Sequence, residues 1–125
     1  MRAFMRLHAL RGATTVEIND AEAILARTKE LMEQILERNA LAPADVVSCI
    51  FTVTDDLDAA FPAEAARAMG FEQVPLLCTR EIPVPGSLPL VIRVLIHFYA
   101  PEGHETRHVY LHEARTLRRD LEAAQ

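Results

Sequence analysis

The most continuously apolar run of the chain extends from Leu88 to Tyr99 and carries one arginine, Arg93, near its centre. Successive side chains of a β-strand point to opposite faces of its sheet. Alternation therefore predicts one wholly apolar core face, made of Leu90, Ile92, Val94, Ile96 and Phe98. The opposite face is mixed and consists of Val91, Arg93, Leu95, His97 and Tyr99. Because a buried unpaired charge is costly, Arg93 either pairs with a carboxylate, as most buried charges do, or binds an anion.

The size and charge of the chain limit its class. Its 125 residues suit one domain, residues 1–125, and 50% of them are hydrophobic, which is enough for a core. A net charge of −5 gives no basic surface for nucleic acid. We expect no membrane partner, since no apolar run could span a bilayer and residues 1–10 are too interrupted for a signal peptide. Two cysteines, Cys49 and Cys78, indicate no disulfide framework and favour the cytoplasm.

Hydrophobic periodicity predicts five strands and two main helices. The predicted strands are Phe4–Arg11, Val46–Val53, Val74–Arg80, Leu90–Tyr99 and Arg107–Leu111. Asn19 and Glu22 form a capping box that predicts the start of a long amphipathic helix, which ends near Asn39. Pro62 opens a short helix that continues to Met69 and stops at Gly70. Residues 12–17 are predicted as a loop or strand exit, and residues 43–45 as a helical turn.

The element order β-α-β-α-β-β-β predicts an α+β fold. It consists of a mixed sheet of about five strands, with the two helices on one face. Two helices cannot cover both faces of such a sheet. We therefore expect a homo-oligomer that buries the remaining face.

One metal-binding motif is present, but its context argues against a metal. Residues His104–His108 match H-E-x-x-H, the zinc-protease pattern, and His112 extends the spacing. The motif binds zinc only on a helix, where both histidines face one ion. Pro101 and Gly103 precede it and a strand pattern follows it, so we expect no metal site here.

Nucleophilic catalysis has little support either. Ser48 and Ser87 lack the context of a nucleophile elbow. A cysteine in a strand, such as Cys78, is more typical of an inert core residue than of a nucleophile. With four glycines in total, the chain has no glycine-rich phosphate loop.

The remaining polar candidates are arginines. Twelve arginines accompany one lysine, a bias that genome composition alone can produce, although arginine also binds carboxylates bidentately. Arg11, Arg93, Arg118, Glu81 and Tyr110 fall on strands, at strand ends or in the tail, and would suit a small ligand with more than one carboxylate. Each also has a structural alternative: Arg11 and Arg118 as solvated surface residues, Glu81 as the partner of Arg93, and Tyr110 as a core residue.

At these residues the chain resembles the small trimeric chorismate mutases, the AroH class. Six motifs carry the resemblance, in order and over nearly the whole chain. They are R-G-A-T-T-V-E at Arg11–Glu17, D-L-D-A-A-F-P-A at Asp56–Ala63, V-P-L-L-C-T-R-E at Val74–Glu81, I-R-V at Ile92–Val94, R-H-V-Y-L at Arg107–Leu111 and L-R-R-D-L at Leu117–Leu121.

The resemblance implies a homotrimer with a pseudo-barrel core and active sites between subunits. It implies the Claisen rearrangement of chorismate to prephenate, in aromatic amino-acid (Phe/Tyr) biosynthesis, with no metal and no cofactor. It also assigns the catalytic residues, which are Arg93 as the cation near the ether oxygen, Arg11 on a carboxylate and Glu81, with Cys78, on the ring hydroxyl. The other substrate-binding residues are Tyr110 on a carboxylate, Phe61, Ala63 and Arg67 from the neighbouring subunit, Leu76, Leu77 and Leu117 as walls, and Arg118 in a closing tail.

Two departures from the family pattern concern the cleft. Glu64 stands where members often have a lysine, and this carboxylate would repel a dianionic substrate. Leu77 replaces a common threonine. A second hypothesis, a non-enzymatic trimeric module that binds an anionic metabolite through the same arginines, stays open at this point, because fold alone does not give function.

Overall fold

A computed structural model describes residues 4–118, apart from the side chain of Arg118. The strands are β1 (Met5–Thr15), β2 (Val46–Val53), β3 (Leu76–Arg80), β4 (Val91–Pro101) and β5 (Val109–Tyr110). The α-helices are α1 (Ala21–Arg38) and α2 (Pro62–Ala66). Shorter helical segments are Pro43–Asp45 and His112–Arg118, both 3-10 turns, and a π-turn at Arg67–Phe71. The predicted element order and the α+β class are confirmed.

The five strands form one mixed sheet in the order β3-β2-β4-β1-β5. The strand with the long apolar run, β4, is central and antiparallel to both of its neighbours. The outer strands β3 and β5 are each parallel to the strand beside them. The sheet therefore surrounds Arg93 with residues from both halves of the chain.

One face of the sheet packs against the helices, as alternation predicts. Ile92, Ile96 and Phe98 are fully buried on it, with Val94 only 2% exposed. Helix α1 contributes a stripe at helical spacing, whose buried members are Ile24, Thr28, Leu31, Met32 and Ile35. A Cβ atom at Gly12 would lie 2.8 Å from Ile35 Cδ1, so glycine lets α1 approach β1 closely. Each aliphatic side chain buried here contributes about 1.5–3 kcal/mol.

The other face of the sheet, called the open face below, is not covered by α1 or α2. Alternation and the strand register place Leu7, Leu77, Arg93, Leu95 and Tyr99 on it. Leu7 is 47% exposed, Tyr99 50% and Leu77 59%. Several exposed apolar side chains on one sheet face are typical of a surface that is covered by another protein surface.

Two predictions about β1 and α1 are wrong. β1 continues to Thr15, because residues 12–15 pair with the first four residues of β4, Val91–Val94. The N-cap of α1 is Asp20, whose side chain accepts from the N–H of Ala23. Asn19 instead accepts from the N–H groups of Asp58 and Ala59, both at 3.1 Å. It thus holds the segment before α2 against the start of α1.

Strands β3 and β5 are shorter than predicted. Pro75 lacks an N–H, and pairing of β3 with β2 begins one residue later, at Leu76. Before the last strand, the side-chain amide of Asn39 accepts from the N–H of Arg107 at 2.8 Å and donates to its carbonyl oxygen at 2.9 Å. The amide replaces a strand partner there, so β5 is limited to Val109 and Tyr110.

Helix α2 ends at Ala66, three residues before the predicted end at Met69, and is followed by the π-turn. Within that turn Gly70 has a φ of 104°, a conformation that glycine adopts without strain, so the chain leaves helical geometry at the predicted glycine. Among the described residues, no helix has both the length and the apolarity needed to cross a membrane.

A carboxylate fixes the entry into β4. Leu90 has a φ of 57°, which is unfavourable for a residue with a branched side chain. Its N–H donates to both carboxylate oxygens of Asp56, at 3.0 and 3.2 Å. The N–H of the next residue, Val91, donates to Thr54 Oγ1 at 3.0 Å. The turn after β2 therefore sets the register from which Arg93 projects.

Candidate active site

Arg93 lies in a row of residues that crosses the sheet on the open face. In the strand register it stands opposite Thr52 on β2 and opposite Ala13 on β1. Ala13 in turn stands opposite Tyr110 on β5. Paired strands are about 4.8 Å apart, so the guanidinium and the phenol project from the same surface within reach of one small ligand.

The carboxylate of Glu81 adjoins Arg93. Its Oε2 atom lies 3.6 Å from Arg93 Nε, with the two side chains 32% and 38% exposed. Thr52 Oγ1 donates to the same Oε2 at 2.6 Å, which orients the carboxylate. The Nε atom of Arg93 is buried and has no hydrogen-bond partner among residues 4–118. A buried donor of this kind costs about 1–3 kcal/mol, so the site contains an unsatisfied cationic donor.

Arg11 and Leu117 lie on the same side of the sheet. Arg11 is exposed, precedes Ala13 by two residues on β1 and stands opposite Leu95. Leu117 and Tyr110 pack against a small buried cluster around Ala13. We call Arg11, Glu81, Arg93, Tyr110 and Leu117 the sheet-face group.

A second set of predicted residues lies at the β3 edge. Phe61 and Cys78 line a cavity of about 530 Å³ between β3, α2 and the start of α1. Cys78 pairs with Phe51, which is fully buried under the helices, so its side chain is on the helix side of the sheet. We call the predicted residues Phe61, Ala63, Arg67, Leu76, Leu77 and Cys78 the edge group.

The members of the edge group differ in accessibility. Phe61 is 69% exposed, whereas Ala63 is 5% exposed and part of the core. Leu76 and Cys78 are half-buried against that core. Leu77 points to the open face, and Arg67 is exposed where the π-turn begins. Hence little of Ala63 is left to contact a ligand, while Phe61, Arg67 and Leu77 are accessible.

The remaining predicted site residue is Arg118. Its side chain lies outside what the structure describes, so its predicted role in a closing tail stays a prediction. The described backbone before it forms the 3-10 segment that begins at His112. Glu30 Oε1 lies 2.7 Å from His112 Nε2, which ties this segment to α1.

The zinc-protease motif does not have the geometry that the motif requires. Residues 104–108 form no helix. His108 Nδ1 accepts from the N–H of Arg11 at 3.0 Å, whereas the His104 ring packs against His8 and Phe98. No cluster of three or more metal-binding side chains occurs in the part of the chain that the structure describes.

The two thiols have different environments. Burial raises the pKa of the Cys49 thiol from 9.0 to about 12, so that thiol stays protonated at neutral pH. Cys78 is half-buried and borders the cavity. Cys49 is thus a small, packed core residue, whereas Cys78 can contact a ligand.

Sequence reasoning missed two residues that organise the site. Thr52 holds Glu81, and Asp56 holds Leu90, the residue before β4. Alternation along β2 puts Thr52 on the same face as Ile50, yet only the pairing of β2 with β4 puts it beside Arg93. Asp56 lies within a family motif, which could have singled it out.

Fold and site together define a class of protein: a small α+β domain whose open sheet face carries the guanidinium groups of Arg11 and Arg93. The model of the family described as chorismate mutase type I matches residues 7–121. The chain therefore belongs to the type I chorismate mutase family.

Known members are similar over nearly their whole length. Chorismate mutase AroH of Thermus thermophilus is 52% identical over 121 residues, which is 95% of this chain and 99% of the relative. Chorismate mutase AroH of Bacillus subtilis is 43% identical over 120 residues, 94% of each chain. The solved structure of a chorismate mutase from Clostridium thermocellum superposes with a TM-score of 0.84 at 49% identity, over 87% of this chain and 98% of that one.

Proposed function

We propose that the chain catalyses the rearrangement of chorismate to prephenate, at sites that combine the sheet-face group of one subunit with the edge group of the next. Family membership supports the reaction. The observation that carries the proposed site is the buried Nε donor of Arg93, which has no hydrogen-bond partner among the described residues.

The chemistry of the rearrangement matches this donor. Cleavage of the ether C–O bond runs ahead of formation of the new C–C bond, so negative charge develops on the ether oxygen. A fixed cation beside that oxygen stabilises the transition state more than the ground state. If Arg93 acts like one oxyanion donor, its contribution is about 3–4 kcal/mol.

Glu81 keeps this cation available. Since its Oε2 atom is 3.6 Å from Nε and accepts from Thr52 at 2.6 Å, the carboxylate attracts the guanidinium without taking up the Nε–H. In the proposed complex the other carboxylate oxygen accepts from the ring hydroxyl of chorismate. Glu81 is thus both a neighbour of the cation and a substrate-binding residue.

Arg11 and Tyr110 position the substrate. Both are on the open face, where Tyr110 stands opposite Ala13 and Arg11 precedes Ala13 by two residues on β1. In the proposed complex each binds a carboxylate, which holds the flexible substrate in its compact, reactive conformer. Restricting conformation in this way lowers the entropic part of the barrier, and a rearrangement of this kind needs no nucleophile.

The proposal of a site between subunits follows from the orientation of the two groups. Arg93 projects from the open face, whereas Cys78 and Phe61 border a cavity on the helix side of the β3 edge. Side chains on opposite sides of one sheet cannot enclose one small ligand. Two copies of the chain can, if the β3 edge of one lies over the open face of the next.

The open face also supports the proposed trimer. It carries exposed apolar side chains on both halves, including Leu7 at 47% and Leu77 at 59%. Packing three such faces around a common axis buries them in a closed, cyclic assembly. We further propose that the enzyme is cytoplasmic and acts in aromatic amino-acid biosynthesis, which its two free cysteines and its family support.

A direct assay tests the proposed function. Purified protein is mixed with chorismate, the loss of chorismate absorbance is followed, and prephenate is identified as the product. We expect turnover with no added cofactor, and a trimer by light scattering at micromolar concentration. Binding of chorismate without turnover would contradict the proposed reaction, and a monomer would contradict the proposed site.

A further inference from the structure

One of the charged residues that line the edge-group cavity, Arg80, is not among the predicted site residues. Three charged residues line this cavity, namely Asp58, Glu64 and Arg80. Two are carboxylates and one is a guanidinium. The carboxylates of Asp58 and Glu64 would repel a substrate that itself has two carboxylates. The guanidinium of Arg80 would attract the substrate and so offset this repulsion.

One of the two carboxylates already has partners. Asp58 Oδ1 accepts from Asn19 Nδ2 at 2.7 Å, which fixes it in the contact between the α1 and α2 segments. Glu64 is exposed on the first turn of α2 and makes no ion pair with any described residue. Glu64 is therefore a negative charge at the cavity that no described cation neutralises.

Arg80 is placed to offset it. On β3 it follows Cys78 by two residues, so both side chains are on the helix side of the sheet and both line the cavity. Its guanidinium is exposed and lies within 4.0 Å of no carboxylate among residues 4–118. It is the one cation that the described residues contribute to this cavity.

We propose that Arg80 is a substrate-binding residue, which binds a carboxylate of the substrate at the edge-group cavity and counteracts Glu64. This inference rests on the proposed function. Arginine suits the position because its planar fork donates two parallel hydrogen bonds to a carboxylate.

The proposal is tested by the steady-state kinetics of three variants. Arg80→Gln should raise KM for chorismate about tenfold, the loss of one charge-assisted contact, with kcat within about twofold. Glu64→Gln should lower KM, because it removes the repulsion. Arg38→Gln changes an exposed arginine that bonds to Gln34 on α1, outside the cavity, and should leave both constants unchanged.

Binding of prephenate, measured by calorimetry at about 0.05 M and about 0.5 M salt, gives a second readout. Salt should weaken binding to the wild type more than to Arg80→Gln, since the variant has lost one of the screened interactions. If KM and prephenate affinity of Arg80→Gln stay within about twofold of the wild type, Arg80 is a solvated surface residue and the inference is wrong. A wild-type protein that does not consume chorismate would instead contradict the proposed function, and the inference with it.

Discussion

The Nε atom of Arg93 lies 3.6 Å from Oε2 of Glu81, near enough for an ion pair and too far for a hydrogen bond. Of the two alternatives that the sequence left open for Arg93, a carboxylate partner is thus present, and it leaves the Nε–H without a hydrogen bond among the described residues. The pair is more than one third exposed on the arginine side, and partly exposed pairs contribute little to stability. Its significance is the orientation that it gives to the guanidinium.

Thr52 controls this spacing, and replacing it by valine should reduce turnover. The hydroxyl of Thr52 donates to Glu81 at 2.6 Å. Without it the carboxylate is free to bond directly to Arg93 Nε and to compete with the ether oxygen. We expect kcat of Thr52→Val to fall about three- to tenfold, which corresponds to about one hydrogen bond, while Thr52→Ser keeps the wild-type rate. Equal kcat for Thr52→Val and the wild type would show that the spacing has no catalytic role.

Mixed trimers test whether the site combines two subunits. Arg93→Ala removes the cation of the sheet-face group, and Arg67→Glu reverses a charge of the edge group. Each variant alone should be nearly inactive. In trimers assembled from equal amounts of both, about a quarter of the interfaces pair two unaltered groups, so about a quarter of the wild-type rate should return. Mixtures that stay inactive, although mixed trimers are seen by mass spectrometry, would place both groups in the same subunit.

The buried thiol predicts a loss of stability at alkaline pH. The folded chain keeps Cys49 protonated up to about pH 12, compared with 9.0 for an ordinary thiol. Between these values the unfolded chain loses a proton that the folded chain retains. The free energy of unfolding therefore falls as pH rises above 9, by at most about 1.4 kcal/mol per unit from this group.

Denaturant unfolding of the wild type and of Cys49→Ala checks this effect. The variant is less stable at about pH 8 because it leaves a small cavity. It should lose less stability than the wild type between about pH 8 and about pH 10.5. Parallel losses in the two proteins would mean that Cys49 ionises in the folded state at its ordinary pKa.

Local patterns in the sequence were enough to predict the order and type of the elements. Alternation in β4 correctly separated the buried face of Ile92 and Val94 from the face of Arg93. It could not predict which residues adjoin Arg93, because strand order depends on tertiary packing. The roles of Thr52 and Asn39 arise from contacts between residues 29 and 68 positions apart, which no local pattern contains.

Strand placement singled out Arg11, Glu81, Arg93, Arg118 and Tyr110, whereas the edge-group residues were predicted only through the family resemblance. The motifs named Phe61, Cys78, Glu81 and Arg93 together, yet the pairing of β3 with β2 puts Cys78 and Arg93 on opposite sides of one sheet. This separation appears only in three dimensions. It is the reason that the proposed site combines two surfaces of the chain.

The most direct test of this account is the kinetics of Arg93→Lys, compared with its affinity for prephenate and its oligomeric state. A lysine retains the charge but cannot reproduce the planar fork of the guanidinium. We predict that kcat falls about a hundred- to a thousandfold, the equivalent of about 3–4 kcal/mol, while the trimer persists and prephenate still binds. A kcat for Arg93→Lys near that of the wild type would contradict the assignment of Arg93 as the cation that stabilises the transition state.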